Sequence, residues 1–100
     1  MVKHIVMLRL KDYDNKTQKL ENALKLKKAL EDLTHYIKEL RSMEVGLNFN
    51  DKPSAFDLVL TATFDSESDL DIYRLHPEHK KLMVFLKTIT NESAVADYEI

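Results

Sequence analysis

Along residues 2–10 apolar side chains fall on both sides of an extended chain. Val6, Leu8 and Leu10 project one way, and Ile5 and Met7 the other. An antiparallel strand with one solvated face alternates apolar with polar residues. This segment is therefore predicted as a strand that needs cover on both faces, bounded by the polar run 11–15. The period then changes. Leu20, Ala23, Leu26, Leu30, Leu33 and Ile37 recur every three or four residues, which predicts one core-packing stripe of a helix over 16–38. Asn15 is expected to cap that helix, with Gln18 in the capping-box position. Residues 40–50 alternate again, with Met43, Val45, Leu47 and Phe49 on one face, and predict a second strand. Gly46, the only glycine, suggests a bulge or a close backbone approach. A turn over 50–54 leads into a third strand over 55–64, carrying Phe56, Leu58, Leu60, Ala62 and Phe64 on one face, so the pair reads as an antiparallel hairpin.

Ser66 and Asp69 stand in capping-box positions and open a short helix that runs to about Leu75. Pro77 suits the first position of a new helix and pushes His76 out of helical geometry. The new helix carries Leu82, Val84, Phe85, Leu86 and Ile89. A turn at 91–93 and a short strand over 94–100 complete the chain. The order βαββαβ predicts an α+β fold of the ferredoxin-like class: one domain over 1–100, with a four-stranded antiparallel sheet and the helices on one face. The other face would carry Ile5 and Met7, with Met43, Val45, Leu47 and Phe49 divided between it and the core. Covering a few such side chains is worth several kcal/mol at about 25 cal/mol per Å2. A homodimer, sheet against sheet, is the expected assembly.

Composition narrows the partners. With 15 basic and 17 acidic residues the formal charge is −2, which gives no electrostatic reason to expect nucleic acid or an anionic membrane. Cysteine is absent, so disulfides, thiolate metal sites and Cys nucleophiles are excluded, and a reducing cytoplasm fits. The apolar N-terminal run is too short and too charged for a signal peptide, and no run approaches the roughly 20 residues of a membrane span. No glycine-rich phosphate loop, G-x-S-x-G or H-E-x-x-H motif occurs, and no cofactor is expected.

The candidate chemistry gathers around the break at Pro77, where Tyr73, His76 and His79 flank it. A histidine exchanges protons near neutral pH. A tyrosine hydroxyl can hold and polarise a carbonyl. Together they could deprotonate a carbon beside that carbonyl and stabilise the enolate. A packing reading stands beside this one: the two histidines satisfy the helix entrance and Tyr73 fills space. His4, among apolar neighbours, reads first as a hydrogen-bonded histidine at the core edge. His76 and His79 lack the third ligand a zinc site needs, so no metal site is expected. Asp65, Glu67, Asp69 and Asp71 read as a solvated face and as favourable charge at a helix N-terminus.

The segments Lys3-His4-Ile5-Val6, Met43-Glu-Val-Gly-Leu47, Phe56-Asp-Leu-Val-Leu60, Tyr73 with His76-Pro-Glu-His79, and Ala94-Val-Ala-Asp-Tyr98 carry a resemblance. Over nearly its whole length the chain resembles the stress-responsive A/B barrel (Dabb) family. The resemblance implies ferredoxin-like subunits paired into a dimeric α/β barrel. Most members have no established activity. A few plant members are polyketide cyclases that use a His and a Tyr in a cavity between sheet and helices, and similar cofactor-free monooxygenases share the barrel. Tyr73 and His79 match the cyclase pair, and His4 matches a histidine near the start of strand one. A polar cyclase position on strand three is Leu58 here, which implies a more apolar cavity. Some members hold a structural cation near the end of the first helix, bound by carbonyls that side chains do not reveal. A ligand site would thus draw on His4, Leu58, Tyr73, His76 and His79, with an apolar or aromatic small molecule as occupant. A small-molecule binder, a cofactor-independent cyclase-like or monooxygenase-like enzyme, and a purely structural oligomer remain open. A cavity of a few hundred Å3 reached by both Tyr73 and His79 separates the first two from the third.

Overall fold

A computed structural model describes residues 1–12 and 16–100 of the chain. Strand β1 (Val2–Leu10) is followed by helix α1 (Lys16–Asp32), a 3-10 turn (Leu33–His35) and strands β2 (Ser42–Leu47) and β3 (Leu58–Phe64). Helices α2 (Glu67–Leu75) and α3 (Pro77–Ile89) then lead to β4 (Thr90–Glu99). The sheet is antiparallel throughout in the order β2-β3-β1-β4, as a ferredoxin-like fold requires.

Residues directly opposite one another share a face of the sheet. The register pairs Val6 with Leu60 and Val95, Leu8 with Leu58, and Leu60 with Val45. The helix-facing side thus carries Val2, Leu8, Leu10, Val45, Leu58, Leu60, Ala62 and Phe64, all buried with Leu26, Leu30, Leu33 and Ile37 in one core. Ile5 and Met7 point the opposite way. Met7 is 39% exposed and Tyr98 44%, and among the described residues no helix covers this outer face.

The expected elements are present, with differences at their ends. Leu20 is exposed because, at about 100° per residue, it lies roughly 120° around α1 from Leu26. Asn15, the expected cap, lies outside the described residues. The α-helix ends at Asp32 rather than residue 38. There Thr34 Oγ1 donates to the Glu31 carbonyl at 3.0 Å, and the Tyr36 and Ile37 amides both donate to that of Leu33 at 3.0 and 2.9 Å, tightening the last turn.

The β2–β3 connection is longer than the expected tight turn. Asn48 Nδ2 donates to the Phe56 carbonyl at 2.7 Å, and the side chains of Asn48 and Asn50 accept the amides of Asn50 and Lys52, each at 2.9 Å. These asparagines give the backbone an alternative to the ladder. Phe49 therefore leaves β2 and stands free in solvent, while Met43, Val45 and Leu47 all join the core side. The bulge expected at Gly46 is absent, since Gly46 pairs regularly with Val59; the register shift falls instead between Arg9 and Leu10 of β1.

The turn expected at 91–93 is strand. Thr90 is already extended, and Arg9 opposes Glu92, which its Nε grips at 2.8 Å. Those polar residues belong to an edge strand, where polarity discourages pairing with other chains.

Candidate functional site

The break between α2 and α3 sets the site. Ser66 Oγ accepts the Asp69 amide at 3.2 Å and starts α2. His76 is extended ahead of Pro77, the first residue of α3, and its Nδ1 accepts the Glu78 amide at 3.1 Å. Its ring is committed as the cap of α3. One turn before the break Tyr73 points inward, and just after it His79 meets the Tyr73 ring at a centroid distance of 4.5 Å. Phe64 of β3 packs on Tyr73 at 5.1 Å, and His4 of β1 stands edge-on to it at 6.2 Å.

His4, Tyr73 and His79 line a cavity of about 320 Å3 between the sheet and α2–α3, whose other walls are mostly apolar side chains such as Val6, Leu60 and Met83, with Arg74 and Ser93 at its polar margin. Of the residues expected from the sequence, His4, Tyr73 and His79 meet there. His76 does not, because it caps α3. Leu58 does not line this cavity either; it is buried further along β3, opposite Leu8 and Leu47.

The hydrogen bonds assign the protons. A carbonyl can only accept, so His79 Nδ1 donates to the Arg74 carbonyl at 3.2 Å, leaving Nε2 as an acceptor. Burial pulls the His79 pKa down, against an upward pull from that carbonyl bond, so the ring stays neutral at pH 7. Burial pushes the Tyr73 phenol far above its ordinary value, which keeps it a donor. No described residue hydrogen-bonds the Tyr73 hydroxyl. Yet among the described residues no buried side-chain polar atom lacks a partner, so the small part of Tyr73 that remains accessible includes its oxygen. His4 Nδ1 donates to one carboxylate oxygen of Asp97, and Arg74 Nη2 donates to the other at 2.8 Å.

The whole chain from residue 2 to residue 100 matches the model of the stress responsive A/B barrel domain. It is a member of that family. An uncharacterised protein of Streptomyces coelicolor is 27% identical to this A/B barrel protein over 99% of each chain. Among solved structures, a dimeric protein of unknown function with a ferredoxin-like fold from Bacteroides fragilis is 35% identical, with a TM-score of 0.89 over 99% of this chain and 95% of that one. A hydroxynitrile lyase from Passiflora edulis, at 18% identity, superimposes with a TM-score of 0.80 over 99% and 92% of the respective chains. At that identity the likeness is one of fold.

Arg74 and Asp97 were not singled out from the sequence of this A/B barrel protein. The available signal was parity: Asp97 is in step with Val95 on β4 and directly opposite His4, a carboxylate at an inward position.

His79 makes stability depend on pH. The folded ring protonates below the ordinary histidine value, so as pH falls through about 6.5 the unfolded chain binds more protons than the folded one. The His79 contribution is complete above that pH and is lost as pH drops toward the folded value. Urea midpoints measured from pH 7.5 to 5 should fall more steeply in the wild type than in His79→Gln, whose amide can still reach the Arg74 carbonyl. Parallel curves would mean that His79 titrates as if exposed.

Proposed function

We propose that this A/B barrel protein is a cytoplasmic homodimer, each subunit of which binds a small, largely apolar molecule carrying a hydrogen-bond acceptor. The observation that carries the reading is the Tyr73 hydroxyl: a protonated donor that no described residue hydrogen-bonds, beside a cavity of about 320 Å3. An aromatic or aliphatic carbonyl compound would complete it. The dimer is supported by the uncovered outer face of the sheet and by the dimeric state of the Bacteroides fragilis relative. Nucleic acid and membrane are not among the proposed partners. The charge is −2, and among the described residues no helix is long and apolar enough to cross a membrane.

Acetophenone is a suitable probe. Titrated into labelled protein, it should shift the methyl signals of Val6, Leu60 and Met83. In Tyr73→Phe the affinity should fall about three- to tenfold, the worth of one hydrogen bond. Ethylbenzene, which lacks the carbonyl, should bind both proteins alike. Unmoved cavity methyls, or an equal loss for both probes, would refute the reading.

The neutral imidazole in contact with the phenol favours a second reading, a cofactor-independent acid–base enzyme. His79 Nε2 would take a proton from the carbon next to a bound carbonyl, and Tyr73 would donate to the enolate oxygen as charge develops there. In D2O, wild-type protein should then speed exchange of the benzylic protons of phenylacetone, and His79→Ala should not. Equal exchange rates would leave binding alone.

A further inference from the structure

Two hollows lie along the β1–β4 pair, one beside α2 and the other between the sheet and helices α2 and α3. Val2 lies opposite Glu99, His4 opposite Asp97, Val6 opposite Val95 and Leu8 opposite Ser93. Residues two apart on a strand share a face, so these pairs form successive layers. Val2 and Glu99 line an outer compartment of about 410 Å3; the Val6 and Leu8 layers line the inner cavity of about 320 Å3 under Tyr73. The His4–Asp97 layer stands between, with Asp97 on the outer side and His4 on the inner.

The helices repeat the order. Leu70 and Asp71 face the outer compartment and His79 the inner one. Arg74 is the one described residue that lines both. Its guanidinium reaches across to Asp97 at 2.8 Å, with Asp71 of its own helix 3.5 Å away, and Asp97 is held in turn by His4. Three side chains, from α2, β4 and β1, thus stand between the two compartments.

We propose that Arg74 is a removable partition in one continuous ligand trough and sets the length of ligand that the cavity accepts. This deepens the binding reading above and rests on it. The wall is cheap to open, because Arg74 is 46% and Asp97 32% exposed at the side chain, and ion pairs this exposed are weak. Turning the guanidinium outward would join the outer compartment of about 410 Å3 to the inner cavity of about 320 Å3. The added compartment also selects. Glu67, Asp71, Asp97 and Glu99 line it against Arg74 alone, so the distal end of a long ligand must carry no negative charge. The ligand class is therefore an aryl or alkyl carbonyl compound with a neutral tail.

Straight-chain alkyl phenyl ketones from acetophenone to decanophenone test this, with Kd measured by NMR for wild type and Arg74→Ala. Ala favours helix and the position is exposed, so a native amide spectrum is expected; Arg74→Gln is the second variant. Each methylene that stays enclosed strengthens binding about fourfold. In the wild type the gain should stop at a defined chain length. In the variants it should continue for about three methylenes or more, with tail contacts to the Val2 and Leu70 methyls that the wild type does not show. A ketone of the extended length ending in a carboxylate should bind Arg74→Ala at least tenfold more weakly than its methyl-ended counterpart. A break at the same length in all proteins, or no break in any, overturns the partition while the cavity reading stands. Equal binding of the carboxylate-ended ketone overturns the charge selection. If no ketone binds any of the proteins, the cavity reading fails and the partition with it.

Discussion

Replacing Ile5 by Asp is expected to turn the proposed dimer into a folded monomer. Ile5 lies on the outer face of β1, a central strand, directly opposite Thr61 of β3 and Ala96 of β4. It points away from the core, so the substitution leaves the helix-facing packing untouched. In a dimer closed sheet against sheet it would place a carboxylate from each subunit in a desolvated interface. Burying such charges without full pairing costs several kcal/mol. About 4 kcal/mol over the two copies raises the dissociation constant about a thousandfold. Light scattering at micromolar concentration should give about twice 11.7 kDa for the wild type and 11.7 kDa for the variant, with unchanged helical circular dichroism. A variant that stays dimeric would place the subunit contact on another surface.

Phe64→Ala should give the largest loss of stability. Phe64 has no exposed surface, lies opposite Val2 at the end of the β1–β3 ladder, and packs its ring on Tyr73 at 5.1 Å. Removing a buried phenyl costs about 3–5 kcal/mol, the sum of lost transfer energy and the cavity left behind. A domain of this size has about 5–15 kcal/mol in all. The melting temperature should fall by about 15 °C or more. The variant should also bind acetophenone more weakly than the wild type at a temperature where both are folded, because Tyr73 is wedged between Phe64 and His79 and loses one wall. A drop under about 5 °C would mean that the neighbouring side chains collapse into the space.

The legible parts of this chain were those governed by local rules. Two-faced apolarity marked β1, and the register puts Ile5 and Met7 on the uncovered side. Ser66 and Pro77 marked the starts of α2 and α3, and both act there as caps demand. The break at Pro77 marked the neighbourhood of the ring cluster, and Tyr73 and His79 both line the cavity there. Errors arose where polarity has more than one cause. Asn91, Glu92 and Ser93 read as a turn and form an edge strand. Phe49 continued an apolar alternation that the asparagine turns of the loop cut short.

The candidate site shows the same division. His76 and His79 stand three residues apart beside a proline, and their spacing alone does not say which ring turns inward. Only the fold commits His76 to the Glu78 amide and turns His79 onto Tyr73. Arg74 and Asp97 stand 23 residues apart and meet only when β4 returns beside β1.

By itself the sequence determined the elements, the two-sided apolarity of β1 and the existence of a ring cluster at the Pro77 break, since propensity, periodicity and capping act over a few residues. The tertiary structure decided which rings share the cavity, that no described residue hydrogen-bonds the Tyr73 hydroxyl, and that His4 and Arg74 both bond Asp97. Those outcomes depend on strand register and on the packing of helices over the sheet, where residues far apart in the chain are brought within hydrogen-bonding distance and their protonation is set by burial.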